Sequence, residues 1–350
     1  MITFDRVSLQ FPQASFPAVN NCSFQVATGE FVVILGSSGC GKTTLLKMVN
    51  RLYEPTSGTI YLHGRDISQF VVTQLRQQIG YVIQQSGLFP HMTAAQNIGV
   101  VPRLLGWSKP QIQSRVDELL LLVDLPPQEY RHRYPAQLSG GQQQRVGLAR
   151  ALAGNPEVML MDEPFGAIDA ITRTTLQDEI LRLQRKLQKT ILFVSHDVEE
   201  ALKLADRILI LQRGEILQYD TPWRILTQPA NSFVKELVGA DDIVRQLSLL
   251  RVATCMQPLA TSPREKSAGI DLVASNLNNL SNLSNLPTID RDSHLRHALS
   301  LLLKTGAEAL AVLDTETPDN KTLDKKNIVG SIALKDIAAL AQVNHQTFPE

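Results

Sequence analysis

The apolar run 31–35 leads without interruption into Gly36-Ser37-Ser38-Gly39-Cys40-Gly41-Lys42-Thr43-Thr44, and this junction restricts the possible folds more than any other stretch of the 350 residues. Five consecutive apolar residues suit a short strand buried on both faces of a parallel sheet. The three glycines accept positive φ and let backbone N–H groups approach an anion closely. A helix starting at Lys42 would aim its positive dipole end at the same point. Lys42 adds a point charge for phosphate, and Thr43 adds a hydroxyl suited to Mg²⁺. Cys40 reads as loop filler rather than as a reactive thiol. A glycine-rich turn that binds nothing is the alternative, and the preceding strand argues against it.

Two further apolar runs end in chemically useful residues. The run 158–161 stops at Asp162-Glu163. An acid at the carboxyl end of a buried strand in a phosphate-loop protein holds Mg²⁺ through its water shell, and Glu163 is then placed to polarise the water that attacks a γ-phosphate. The run 191–194 delivers Ser195-His196-Asp197, with His196 as the expected γ-phosphate contact. Three parallel strands therefore bring phosphate-binding, metal-binding and water-sensing groups to one sheet edge, where open α/β sheets bind ligands. A second glycine pair occurs in Leu138-Ser139-Gly140-Gly141-Gln142, just before a helical stretch running to about Ala153. That is a second anion-seeking helix end in a chain with only one lysine-bearing phosphate loop. The economical explanation is that this end serves ATP held by another copy of the chain.

On these motifs residues 1–240 resemble the ATP-binding subunit of ATP-binding-cassette (ABC) transporters. The resemblance implies an α/β phosphate-loop ATPase core with a mixed sheet and a helical subdomain at about 86–154. It implies ATP and Mg²⁺ as cofactors, with Thr43, Gln84 and Asp162 at the metal. By the same resemblance Gln84 reports to the membrane partner, and Glu163, His196 and Gln84 form the catalytic set. Asp169 lies in a loop crossing the dimer interface, where Ile168 and Ala170 replace the more usual Leu and Pro. Phe11 matches the aromatic that stacks on adenine; Phe16 competes for that role, and core packing is open for both. Leu88 and Phe89 fall at the rim of the groove that receives the permease, with core packing again the alternative.

Composition agrees with this reading. Lys+Arg and Asp+Glu both number 34, so no basic excess points to nucleic acid as a partner. Cys22, Cys40 and Cys255 lack metal-ligand spacing and fit a reducing compartment. His294 and His297 could share a helix face but have no further ligand nearby. No apolar run approaches the roughly 18 residues of a membrane span, and the first residues are no signal peptide. The expectation is a peripheral protein at the cytoplasmic face of the inner membrane, working as a homodimer with separate permease subunits and, indirectly, an extracytoplasmic solute-binding protein. In the helix expected from Ala170 to Lys189, Leu176, Ile180, Leu183 and Leu187 form the buried stripe.

After about Asp241 the chain changes character. Residues 241–288 read as a linker, because the Asn/Leu/Ser tract 275–286 has leucine every third residue and many turn-formers. Residues 289–350 are expected to form a small α/β module: Ser293 caps a helix to Lys304, Gly306 ends it, strands follow near 310–313 and 327–333, and a helix closes the chain. This order resembles a cystathionine-β-synthase (CBS) regulatory module, with 252–258 as a displaced opening segment. Pairing across the homodimer and a purely structural tail are both open. Importers with such a tail that resemble this chain commonly carry quaternary amines (glycine betaine, carnitine, choline), so that class is the expected cargo. An amino acid or polyamine importer is the alternative, and a non-transport cassette ATPase a remote one.

Overall fold

The computed structural model describes residues 1–84, 87–166, 169–258, 283, 286–314 and 328–342. They fall into a first unit, Met1–Ile225 with Pro229–Val238, and a second, Leu226–Gln228 with Gly239–Glu350. The first unit contains ten strands: β1 (Ile2–Leu9), β2 (Val19–Val26), β3 (Phe31–Leu35), β4 (Ser57–Leu62), β5 (Arg65–Asp66), β6 (Ile79–Val82), β7 (Val158–Asp162), β8 (Thr190–Val194), β9 (Arg207–Gln212) and β10 (Glu215–Asp220).

Strands buried on both faces form the central sheet. Every residue of β3, β7 and β8 is buried. The sheet order is β10-β9-β3-β8-β7-β6, with parallel pairing throughout except at β10, which runs antiparallel to β9. The sheet is thus mixed, and β8 lies between β3 and β7, so the three functional strand ends are neighbours. Each fully buried Val, Leu, Ile or Phe contributes about 1.5–3 kcal/mol relative to exposure.

A second sheet, β2-β1-β4-β5, is antiparallel and follows alternation instead. Phe4 and Phe24 from adjacent strands stack with ring centroids 4.2 Å apart. One core joins both sheets, including Ile2, Val32, Ile34, Leu45, Leu160 and Val194. The segment expected to be helical contains Ala94–Ile98, Val100–Leu104, Lys109–Leu122, Pro127–Tyr130 and Gly140–Leu152. The helix Lys109–Leu122 ends before Asp124, at φ 53°, and Pro127 is the first residue of the next helix, so Pro126-Pro127 starts a helix rather than breaking one. Among the described residues no helix is long and apolar enough to cross a membrane.

The second unit holds β11 (Gln257–Pro258), β12 (Thr288–Asp290), β13 (Ala309–Leu313) and β14 (Ile328–Ala333), in the order β11-β14-β13-β12. Helices Leu295–Thr305 and Leu334–Gln342 pack with them over Leu247, Val252, Ile289, Leu302, Leu310 and Ile332. Residues 241–288 are therefore not all linker. Ile243–Leu249 is a helix, and β11 joins the sheet, because Leu247 and Val252 belong to this core. His294, not Ser293, is the helix N-cap residue, while Gly306 ends the helix at φ 63°. The 275–286 tract lies outside the described residues except for Leu283 and Leu286, which pack with Ala311 and Ile328.

Candidate active site

The phosphate loop is shaped by where a side chain cannot go. Gly41, at φ 108°, precedes the helix Lys42–Val49, and a Cβ there would lie 2.2 Å from the Ala18 carbonyl oxygen. The strand end that enters β2 thus presses on the loop from behind. Ser37, Ser38 and Gly39 form the exposed crest, and Lys42 is buried beneath it. Its Nζ donates to the carbonyls of Gly36 (2.8 Å) and Ser37 (3.0 Å), which hold the ammonium at the centre of the loop. Thr44 is half-buried in the first turn of the helix. Cys40 is buried, which raises its thiol pKa against the opposing charge of Lys42.

The neighbouring strand ends supply oxygen ligands. Thr43 Oγ1 donates to Asp162 Oδ1 at 2.8 Å. Burial pushes the Asp162 carboxyl above the usual carboxylate range, opposed by that hydrogen bond and by the charges of Lys47 and Lys42. A buried carboxylate and a hydroxyl on the phosphate loop suit a hard cation that takes oxygen ligands. Among the described residues no group of three His, Cys, Asp or Glu side chains could hold a metal ion by itself.

Glu163 is where the catalytic candidates meet. It has φ 43°, a left-handed conformation that is uncommon for a residue with a side chain, and its N–H donates to the Val194 carbonyl of β8 (3.0 Å). This turn takes the chain off β7 and leaves the carboxylate facing two partners. Gln84 Nε2 donates to Glu163 Oε2 at 3.2 Å, and His196 Nδ1 lies 3.3 Å from the same oxygen. Residues from β7, from the end of β8 and from just beyond β6 therefore converge on one carboxylate oxygen.

Ser139, Gly140 and Gly141 do not join this cluster in the same chain. Ser139 Oγ accepts from Gln142 N–H (3.3 Å), and Gln142 Oε1 accepts from Ser139 N–H (3.0 Å), a capping box on the helix Gly140–Leu152. Ser139 and Gly140 are exposed, whereas Gly141 is buried. Asp169 caps the helix Ala170–Leu187 by accepting from Thr172 N–H (3.1 Å). Ala167 and Ile168, beside it, lie outside the described residues, as do Gln85 and Ser86 after Gln84.

Phe11 is exposed, and its ring meets Tyr53 edge-on at 5.3 Å, while the ammonium of Lys47 stands 5.7 Å from the Tyr53 ring centroid. Core packing is thereby set aside for Phe11, and equally for Phe16, which is 81% exposed. Phe89 is also exposed and Leu88 half-buried. Sequence reasoning missed Asn97, a fully buried side chain whose Nδ2 donates to the carbonyls of Phe89, Met92 and Thr93 while its Oδ1 accepts from Phe89 N–H. The available signal was an Asn on the apolar face of a short helix. Tyr53 gave no signal.

The family model described as ABC transporter matches residues 19–166. The chain is 44% identical over 346 residues to the glycine betaine/carnitine/choline transport ATP-binding protein OpuCA of Bacillus subtilis, covering 96% of this chain and 84% of that one. It is 43% identical over 330 residues to the glycine betaine uptake system ATP-binding protein YehX of Escherichia coli, covering 94% and 99%. Among solved structures, a dimeric post-hydrolysis state of the ATP-binding cassette MJ0796 bound to ADP and Pi superposes with a TM-score of 0.57 at 32% identity, covering 63% of this chain and 99% of that one.

Proposed function

Because this chain belongs to the ATP-binding subunits of ABC transporters, we propose that two copies close around two ATP molecules and drive import of a quaternary-amine osmoprotectant through separate permease subunits. The observation that carries the cargo class is the near full-length similarity to relatives named for glycine betaine, carnitine and choline transport. The same reading makes the protein peripheral to the cytoplasmic face of the inner membrane, served indirectly by an extracytoplasmic solute-binding protein. Residues 1–240 are assigned as the ATP-binding domain and 289–350, joined by the helix Ile243–Leu249 and β11, as a CBS-like regulatory module.

The residues divide the work as follows. Backbone amides of 36–43 and the Lys42 ammonium bind the phosphates. Phe11 offers an exposed ring for adenine. Thr43, Gln84 and Asp162 would hold Mg²⁺, which neutralises charge on the phosphates. Glu163 accepts a proton from the attacking water, and Gln84 and His196, both within 3.3 Å of its carboxylate, fix its direction. His196, beside Glu163, is assigned the γ-phosphate contact. Ser139 and the N–H groups of the following helix, from the second copy, complete the pocket across the interface, with Asp169 beside them. Little covalent chemistry is asked of the protein, so positioning and charge neutralisation supply the rate.

The test is uptake of labelled glycine betaine or choline into vesicles carrying the assembled complex, with labelled amino acid and polyamine alongside. ATP-dependent uptake of the quaternary amine that disappears with Glu163→Gln supports the assignment. Uptake of an amino acid or polyamine instead overturns the cargo, and ATP hydrolysis without any uptake overturns transport.

A further inference from the structure

The helix Ala170–Leu187 has three distinct faces. At about 100° per residue, Leu176, Ile180 and Leu183 fall on one stripe, and all three are buried. Arg173 and Gln177 flank that stripe on one side, one turn apart. Thr172 and Glu179 flank it on the other, two turns apart.

The first flank reaches the His196 loop. Gln177 Nε2 donates to Glu200 Oε1 (3.4 Å), and Ser195 Oγ donates to Glu200 Oε2 (2.7 Å). Asp197 N–H donates to Ser195 Oγ (2.9 Å), and Arg173 Nη1 lies 3.5 Å from Asp197 Oδ2. His196 is thus held by its two chain neighbours, each tied to the same helix. Gln177 and Glu200 are buried.

The second flank reaches the helix headed by Ser139. Arg145 Nη2 lies 2.6 Å from Glu179 Oε1, and both side chains are largely buried. One turn before Arg145 on its helix, Gly141 comes so close to Thr172, two turns before Glu179 on the other, that a Cβ on it would stand 2.6 Å from Thr172 Cγ2. Buried polar and ionic contacts contribute little net stability compared with apolar packing of the same volume. What such contacts do supply is a fixed register between the elements they join.

We propose that Gln177 and Glu179 are positioning residues. Through them one helix holds His196, which serves the chain's own nucleotide, in register with the Ser139 helix end, which serves the partner copy's nucleotide. The two sites are thereby coupled within each chain. The inference rests on the composite two-copy pocket.

The test uses Gln177→Met and Glu179→Gln, both close in size to the native residue, in the assembled transporter. ATPase rate against ATP concentration is measured beside the nucleotide affinity and melting temperature of the isolated chain. Coupled sites give the wild type a Hill coefficient between 1 and 2; each variant is expected to bring it to about 1 and lower kcat about tenfold, with isolated-chain affinity held within about twofold. Unchanged kcat and Hill coefficient overturn the proposal. So does a fall in affinity and melting temperature together with the Hill coefficient retained, which is what a merely structural helix gives. A wild-type Hill coefficient of 1 also overturns it, and ATP-induced dimerisation of a Glu163→Gln chain tells the two failures apart. If that chain dimerises, only the relay is lost; if it stays single, the composite pocket goes as well.

Discussion

At the scale of residues, Glu163 carries the heaviest chemical assignment and an uncommon backbone conformation, φ 43°. Glu163→Gln keeps the side-chain shape and the same backbone demand, so folding should be untouched. The amide cannot take a proton, and turnover should fall at least about a hundredfold, in the range typical of a lost general base. Nucleotide binding and ATP-induced dimerisation should persist; phosphate release and gel filtration measure the two, and wild-type turnover would take Glu163 out of the role. Lys42→Ala acts differently, because it removes both a phosphate contact and the bonds to Gly36 and Ser37. Loss of a charge-assisted hydrogen bond costs about 1.5–3 kcal/mol, or about one to two decades of nucleotide affinity by titration. The sequence pointed to these residues because phosphate and metal chemistry limits which side chains serve. The φ of Glu163, the Phe11–Tyr53 edge contact and the Asn97 clamp were not readable. Each depends on neighbours brought in by folding rather than on local sequence.

At the scale of elements, the helices Gly140–Leu152 and Ala170–Leu187 meet at a point where one methyl group matters. In Gly141→Ala the new Cβ would stand 2.6 Å from Thr172 Cγ2, so the Thr172 side chain or the helix that carries it must move. Overpacking of this kind costs about 1–3 kcal/mol, and each kcal/mol lowers the melting temperature by about 2–4 °C in a domain of this size. Thr172→Ser deletes the clashing methyl while keeping the backbone N–H that Asp169 caps, so the double variant should recover most of the loss. Failure to recover would show that Gly141 is needed for some reason other than this contact. Fully buried strands were legible as unbroken apolar runs, since β3, β7 and β8 have no solvent face to mark with polar residues. The antiparallel sheet β2-β1-β4-β5 was not: its pairing of Phe4 with Phe24 and Ile60 joins segments far apart in sequence, and no local period encodes that register. The helix Ala170–Leu187 was found by its apolar stripe, and nothing in that stripe marked the polar Gln177 and Glu179 beside it as buried.

At the scale of the whole molecule, every residue assigned to nucleotide lies in the first unit, whereas the second has its own core built on Leu310, Val312 and Ile332. Residues 252–258 join that second core as their sequence reading had it, whereas the helix Ile243–Leu249, which adds Leu247, was read as linker because it lies far from the strands it covers and before a low-complexity tract. Two cores make a calorimetric prediction for the full-length Glu163→Gln chain, in which bound ATP survives the scan. ATP at about a hundred times its dissociation constant should stabilise the first unit by about 2.7 kcal/mol. Leu310→Ala removes a side chain with no exposed surface and should destabilise the second unit by about 2–5 kcal/mol. ATP should therefore raise one melting transition and the substitution lower the other. If Leu310→Ala also lowers the ATP-responsive transition, the two cores melt as one cooperative body, and the tail contributes directly to the stability of the ATPase. If two transitions are resolved and ATP raises the one that Leu310→Ala lowers as well as the other, which the substitution leaves in place, the tail itself takes part in binding nucleotide, and a nucleotide-sensing role for residues 289–350 follows from the same scan.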